Sequence, residues 1–128
     1  MMKYTLLTLF MFLSLLCHGQ SYKFFTTDRE LSSSLINKIY QDRNGMIWIA
    51  TEDGLNRYDG AKFVIYKHDP ENEYSLCHNY VRALYEDSKG RLFVGTYNGI
   101  QLYDPATDSF STHLTANCDI ECFKAFFS

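Results

Sequence analysis

An internal repeat is the feature that most limits what this chain can fold into. When the sequence is shifted by 45 residues, apolar, aromatic, aspartate, threonine and glycine positions coincide along its middle part. Chance does not produce so many coincidences at one offset, so this part consists of two copies of one structural unit. The coincident pairs are Ile36 and Val81, Ile39 and Leu84, Tyr40 and Tyr85, Asp42 and Asp87, Gly45 and Gly90, Ile47 and Leu92, Trp48 and Phe93, Ile49 and Val94, Thr51 and Thr96, Gly54 and Gly99, Leu55 and Ile100, Tyr58 and Tyr103, and Asp59 and Asp104.

Each copy has the pattern of four short strands separated by turns. In the first copy the predicted strands cover residues 37–41, 46–51, 55–58 and 62–66, and the intervening turns contain Asn, Asp and Gly, which favour tight reversals. A four-stranded antiparallel unit that recurs about every 40 to 50 residues is typical of a β-propeller blade. The predicted fold class is therefore all-β: an incomplete propeller whose two blades, at 35–66 and 80–112, are joined by a link at 67–79.

Three pairs of equivalent residues have predicted structural roles. The second strand of each copy is apolar with little alternation, as expected where neighbouring blades cover both faces, so its aromatic residue should pack between blades. The threonines ahead of the next turn should satisfy backbone groups, and the aspartates should cap their own turns rather than act as general acids. These residues are Trp48 and Phe93, Thr51 and Thr96, and Asp42 and Asp87.

Residues 1–19 are predicted to form a helical signal peptide. Lys3 precedes an apolar run at residues 6–16, and small and polar residues follow, which is the pattern of an export signal. The run is shorter than the ~20 apolar residues that a membrane-spanning helix needs, so we expect no membrane span within the chain, and a retained anchor is the less favoured alternative. The predicted localisation is outside the cytoplasm, in the periplasm if the source is a Gram-negative bacterium.

The cysteines allow one disulfide at most in the exported chain. If Cys17 leaves with the signal peptide, Cys77, Cys118 and Cys122 remain. Cys118 and Cys122 could bridge on an irregular segment, but free thiols are the favoured alternative, and a lone C-x3-C pair is a poor metal site. We expect neither a metal nor another cofactor.

The charge pattern argues against nucleic acid as a partner. The formal net charge is -3, and acidic and basic residues are interspersed. A protein that binds the phosphate backbone needs a basic stripe to neutralise it. The remaining composition, 46% hydrophobic and 21% charged, is that of an ordinary globular chain.

The repeat resembles a known family. The pattern I-x-x-I-x-x-D-x-x-G-x-I-W-I-A-T-x-x-G-L-x-x-Y-D at residues 36–59 is similar to the two-component regulator propeller repeat, and the second copy at 81–104 is similar with Phe93 in place of Trp. Residues 22–25 and the pair Leu31-Ser32 resemble the family's leading segment, which is an outer strand followed by a short link. We therefore assign residues 20–34 to this outer strand and link. The connection at 66–80 resembles the family's blade connection, with Cys77 where a small polar residue is usual.

The resemblance implies the periplasmic sensor region of a hybrid two-component system, a class of membrane receptor common in Bacteroidetes that responds to oligosaccharides. The parent would be a histidine kinase, but His68, His78 and His113 do not lie in a phospho-acceptor setting, and no phosphate-cradling loop is present. We therefore expect no kinase activity from this chain, and assign residues 113–128 to the start of a truncated or diverged third blade.

Two blades cannot close a ring, which usually takes four to eight. The predicted partners are therefore other blades of the parent receptor or further copies of this chain. A structural module that assembles through its open strand edge is the main alternative function. A propeller-type glycosidase or lyase fragment is a weaker alternative, because two blades offer no pocket that would hold a pair of carboxylates.

Candidate ligand contacts lie in the turns and in the link. Aromatic rings beside amides and carboxylates suit sugars, which present apolar ring faces and many hydroxyls. An ordinary solvated role in turns is the alternative for each residue taken alone. The candidates are Glu52, Asp53, Tyr97, Asn98, His68 and Tyr74.

Overall fold

The computed structural model describes residues 2–14, 19–25 and 30–111. Within these ranges, one helix, α1 (Met2–Ser14), is followed by eight strands in two antiparallel sheets of four, each with its strands in chain order. The all-β class with two four-stranded blades is confirmed. Blade 1 contains β1 (Ile36–Gln41), β2 (Ile47–Thr51), β3 (Gly54–Tyr58) and β4 (Phe63–Tyr66); blade 2 contains β5 (Val81–Glu86), β6 (Leu92–Thr96), β7 (Gly99–Asp104) and β8 (Ser109–Phe110).

The two sheets repeat the same irregularity. The pairing of β1 with β2 shifts between Ile36 and Lys38, and the pairing of β5 with β6 shifts between Val81 and Ala83. These positions are equivalent in the sequence repeat, so the backbone repeats together with the side chains. Such a shift bends the first strand of each blade and increases its twist.

The aspartates cap their own turns, as predicted. Asp42 Oδ1 accepts the amides of Asn44 and Met46 at 2.9 and 3.0 Å. Asp87 Oδ1 accepts the equivalent amides of Lys89 and Arg91 at 3.0 and 2.8 Å. Each carboxylate therefore closes the hairpin between the first two strands of its blade. Its Oδ1 accepts two backbone amides and is not available for proton transfer.

The blades pack face to face. The front face of blade 1, which contains Trp48, Ala50, Leu55, Arg57 and Tyr66, lies against the back face of blade 2, which contains Val81, Leu84, Leu92, Val94 and Tyr103. Trp48 is 1% exposed and meets the ring of Tyr103 at 4.8 Å, so its predicted role between blades is confirmed. Phe93 is equally buried but belongs to a second cluster, with Ile100, on the front face of blade 2.

Two arginines of blade 1 make the main polar contacts to blade 2. Arg43 pairs with Glu86 at 3.2 Å and donates to the carbonyls of Asp87 and Ser88. Arg57, whose guanidinium lies over the rings of Trp48, Tyr66 and Tyr103, donates to the Tyr103 hydroxyl and to Asp108. The interface is therefore an aromatic core closed by charged hydrogen bonds at two points.

The leading segment differs from its prediction. The outer strand expected at residues 22–25 is wrong, because residues 19–25 form no strand. A strand needs a neighbouring edge to pair its amides and carbonyls. Phe25 instead packs edge-on against the rings of Tyr58 and Phe63, and Lys23 Nζ donates to the Tyr58 hydroxyl at 3.1 Å.

Within the described ranges, no helix is long and apolar enough to cross a membrane. Cys77 is a free thiol. Cys17, the Cys118–Cys122 pair, His113 and the third-blade assignment at 113–128 lie outside the described residues. The domain boundaries derived from the sequence stay predictions.

Candidate ligand-binding site on the loop face

The turns between the second and third strands shape one end of the molecule, which we call the loop face. Thr51 Oγ1 accepts the Asp53 amide at 3.1 Å and donates to the Gly54 carbonyl at 2.8 Å, and Thr96 does the same for Asn98 and Gly99. The threonines thus satisfy backbone groups, as predicted.

Gly54 is required in this turn. Its φ of 130° is a conformation that L side chains rarely adopt, and a Cβ there would lie 2.8 Å from the Tyr66 carbonyl oxygen. Its amide donates to the Asn79 carbonyl at 2.7 Å. The turn of blade 1 is therefore attached to the link that leads into blade 2.

Four side chains from three segments meet on the loop face and form what we call the tyrosine patch: Glu52, His78, Tyr80 and Tyr97. The rings of Tyr80 and Tyr97 stack with centroids 4.1 Å apart and planes 6° from parallel. The Tyr80 hydroxyl donates to Glu52 Oε1 at 3.2 Å, and the His78 ring lies 5.8 Å from that of Tyr97. Tyr97 is 61% exposed, so the patch presents an aromatic surface beside a carboxylate.

The protonation of the patch follows from its contacts. The Tyr97 hydroxyl, partial desolvation and the Glu52 carboxylate together raise the pKa of Tyr80 above its ordinary value. Tyr80 therefore stays a hydrogen-bond donor at neutral pH. His78 Nδ1 accepts the Tyr80 amide at 2.9 Å, which leaves the proton of a neutral imidazole on Nε2. An aromatic surface flanked by an acceptor and a ring donor can bind a molecule with both an apolar face and hydroxyl groups.

The structure places the other predicted residues in structural contacts. Asp53 pairs with Lys67 at 2.8 Å. Asn98 Nδ2 donates to the Cys77 carbonyl at 3.1 Å. His68 holds the link through its amide, which donates to Asn79 Oδ1 at 2.7 Å, and through Nδ1, which lies 2.6 Å from the Leu76 carbonyl oxygen.

Tyr74 lies apart from the tyrosine patch. It is 53% exposed and lines a different cavity, of about 780 Å³, with Asn72, Leu102 and Phe110. Of the six predicted residues, the structure therefore brings together Glu52 and Tyr97 in one patch, with Asp53 and Asn98 beside them in the same two turns.

Tyr80 and His78 are the patch residues that the six sequence candidates did not include. A partial signal exists in the repeat itself, because the copies differ at the patch positions, although they also differ at positions outside the patch. Glu52 is equivalent to Tyr97, and Tyr80 is equivalent to Leu35, whereas Thr51 and Gly54 in the same turn coincide with Thr96 and Gly99.

A second cavity lies between the blades at the opposite end. It measures about 510 Å³, and its lining is mainly apolar, with Met46, Trp48, Leu92 and Tyr103 among its residues. The acidic groups at its rim already accept hydrogen bonds from the protein, as Asp42 does from Trp48 Nε1 at 2.8 Å. In the part of the chain that the structure describes, no group of three or more His, Cys, Asp or Glu side chains could hold a metal ion.

The fold and the repeated turns define two consecutive blades of a β-propeller. The family described as two component regulator propeller matches residues 30–53 and 75–98, which lie 45 residues apart and overlap the two copies of the repeat. Two segments of the chain, 48 of its 128 residues, are therefore similar to the two-component regulator propeller repeat.

A curated relative and two solved structures are similar to the chain. Histidine kinase P4 of Formosa agariphila is 40% identical over 72 residues, which is 53% of this chain and 5% of the relative. Two crystal structures show the extracellular domain of one B. thetaiotaomicron protein, which is described as a one-component system in the first and as a hybrid two-component system in the second. They match with TM-scores of 0.60 and 0.59 at 24% and 26% identity, and each match covers 73% of this chain and 14% of the solved chain. The chain thus spans a small part of each relative.

Proposed function

We propose that this chain is a ligand-sensing segment of the extracellular propeller of a hybrid two-component sensor. The similarity to a histidine kinase and to extracellular domains of such systems supports the class. The apolar helix α1 at the start of the chain supports export, and the periplasm is the proposed location. The chain's own part is recognition, and the kinase reaction belongs to the parent receptor.

The observation that carries the proposal is the tyrosine patch. Glu52 and Tyr97 occupy equivalent turns of successive blades, and Tyr80 of the connecting link joins them through a stack and a hydrogen bond. A ligand on this surface would contact both blades at once. Loops on a rigid scaffold are the usual place for binding residues.

The proposed ligand class is an oligosaccharide. The exposed ring of Tyr97 can stack on the C–H face of a pyranose, while Glu52 and the Nε2–H of His78 can accept from and donate to hydroxyls. Among the four side chains of the tyrosine patch, Glu52 is the single carboxylate, whereas glycoside hydrolysis uses two. Binding without cleavage is therefore the favoured activity.

A binding assay with matched variants tests the proposal. The full chain is titrated calorimetrically with a panel of short hexose, pentose and uronic acid oligomers. We expect at least one to bind, and Tyr97→Ala to weaken that binding about tenfold or more, in line with the ~1.4 kcal/mol that a tenfold change represents. Tyr74→Ala, which removes a similarly exposed tyrosine elsewhere, should bind as the parent chain does. Equal weakening by both variants, or no binding by any sugar, would contradict the proposal.

A further inference from the structure

The back face of blade 1 is an exposed apolar sheet surface. Ile36, Ile39 and Ile65 on this face are 43%, 58% and 45% exposed. At the equivalent positions of blade 2, Val81 and Leu84 are 0% and 4% exposed, because blade 1 covers them. The repeat therefore shows one face in two states, covered in blade 2 and open in blade 1.

The covered interface depends on charges that the open face lacks. In blade 2, Glu86 and Asp108 accept Arg43 and Arg57 of blade 1. In blade 1 the residue equivalent to Glu86 is Gln41, which carries no charge.

Asp108 has no counterpart in blade 1. The loop between the paired residues Tyr58 and Phe63 is two residues shorter than the loop between Tyr103 and Phe110 that carries Asp108. In addition, the Tyr58 hydroxyl already accepts Lys23 Nζ at 3.1 Å.

A blade with arginines like those of blade 1 would therefore fit the open face poorly. Its guanidinium groups would lie beside Gln41 and Tyr58 without an anionic partner. The group at Tyr58 corresponds to Arg57, whose side chain is only 23% exposed, and it would also lie near the positive charge of Lys23. A buried charge without a partner is strongly unfavourable. The open face instead suits a front face that is apolar at the position of Arg57 and uncharged at that of Arg43.

A second copy of this chain could offer such a front face only through blade 2, where Ser88 and Leu102 stand at the positions of Arg43 and Arg57. However, Phe93 and Ile100 on that face are already 1% and 8% exposed. They are not free to cover the isoleucines of another molecule.

We propose that the back face of blade 1 binds a separate blade of the same repeat, one whose front face lacks both arginines. This inference concerns the neighbour of blade 1 and does not depend on the ligand proposed for the tyrosine patch. The apolar area of the isoleucines provides the attraction, and the missing acidic partners exclude blades of the blade 1 type.

An inserted blade tests both parts of the inference. Residues 31–75 are duplicated directly before Leu31 in the full chain, once unchanged and once with Arg43→Ser and Arg57→Leu in the added copy. Ile39→Cys in the original blade reports the exposure of the back face through its rate of maleimide labelling, measured on the labelled peptide. We expect the substituted insert to slow labelling at least tenfold and the unchanged insert to slow it less.

Glu73→Cys in the original link, which is exposed, provides the control, and neither insert should alter its labelling rate. If neither insert slows the labelling of Ile39→Cys relative to this control, the back face does not bind a blade. If both inserts slow it equally, the exclusion of arginine is wrong.

Self-association of the unmodified chain would overturn the choice of partner. The mass of the full chain in solution is measured over a range of concentrations by light scattering. An oligomer that Ile39→Asp removes and Leu9→Asp in α1 does not would assign the back face to a second copy. A mass that Ile39→Asp leaves unchanged supports a separate blade.

Discussion

In blade 1 the first hairpin is closed by Asp42 and Trp48, whereas in blade 2 the equivalent hairpin is closed by Asp87 and Arg91. Asp42 Oδ2 accepts the indole Nε1–H of Trp48 at 2.8 Å. Asp87 Oδ2 accepts the guanidinium Nε–H of Arg91 at 2.6 Å. The position of Trp48 is occupied by Phe93 in blade 2, which has no donor to offer.

The comparison separates the fixed part of the repeat from the exchangeable part. The aspartate and its two amide contacts are the same in both blades, and only the donor to the second oxygen changes. Burial alone would raise the pKa of Asp87, but the amide and guanidinium of Arg91 outweigh burial and lower it below its ordinary value. The donor can therefore come from a side chain on the second strand, as with Trp48, or from the residue immediately before that strand, as with Arg91.

The largest loss of stability is expected at the aromatic position, where blade 1 has Trp48 and blade 2 has Phe93. Trp48→Ala should lower the free energy of unfolding by about 3–5 kcal/mol, because it leaves a cavity in the core between the blades. Phe93→Ala should cost less, since Phe93 belongs to the smaller cluster. Urea unfolding followed by circular dichroism measures both losses, and a greater loss for Phe93→Ala would contradict the ranking.

The next largest change in stability is expected when the side chain that donates to Asp87 is replaced by the type of donor found in blade 1. Arg91→Met removes the second donor to Asp87, whose side chain is 3% exposed, and should cost about 1–3 kcal/mol. Adding Phe93→Trp supplies the donor of blade 1 and should recover part of the loss. The same unfolding assay compares the two variants, and no recovery in the double variant would show that the donors are not interchangeable.

The ionised carboxylate of Asp108 at the blade interface should contribute less to the free energy of unfolding, and its contribution should depend on pH. Partial burial would raise the pKa of Asp108, but hydrogen bonds from Tyr66 and Tyr103 and the charge of Arg57 outweigh it and lower the pKa. Its contribution is therefore complete above the unfolded carboxyl pKa of about 3.9 and is lost as the pH falls through the lower folded value.

Asp108→Asn should accordingly cost about 1 kcal/mol at neutral pH, which is less than the roughly 1.5–3 kcal/mol of hydrogen bonds to a charged group because Asp108 is half exposed. The difference from the parent chain should shrink as the pH falls below 4. Unfolding curves from pH 7 down to the acid limb measure this difference, and a difference that is constant with pH would refute the role of the charge.

The smallest expected effect concerns the loop face. Lys67→Ala breaks the ion pair with Asp53, whose two side chains are 46% and 53% exposed. Exposed pairs contribute roughly 0.2–1 kcal/mol, and salt screens them. The loss should therefore be small and should disappear at high salt, and a large loss that is independent of salt would assign the pair a structural role.

Local pattern determined which parts of the fold were predictable. The second strand was predicted at residues 46–51 and is found at Ile47–Thr51, because turn residues mark both of its ends. The strand at 22–25 was wrong because pairing depends on a neighbouring edge, which a local sequence does not contain.

The candidate site was predictable only in part for the same reason. Glu52 and Tyr97 were identified from the chemistry of their turns. Tyr80 joins them only because two turns that are 45 residues apart meet on one face, and that meeting is a property of blade packing. The roles of Arg43 and Arg57 likewise depend on contacts across the interface, so they have no local signature.

The link between the blades has a mechanical consequence. It contains no helix or strand between Tyr66 and Val81, yet Leu76 within it is fully buried and the Cys77 amide donates to Gln101 Oε1 at 2.8 Å. A hinge needs a segment that can change its backbone angles at little cost, whereas this link is held by both blades. The blades should therefore move as one body, so that a force applied at the tyrosine patch is transmitted through the pair instead of being absorbed between them.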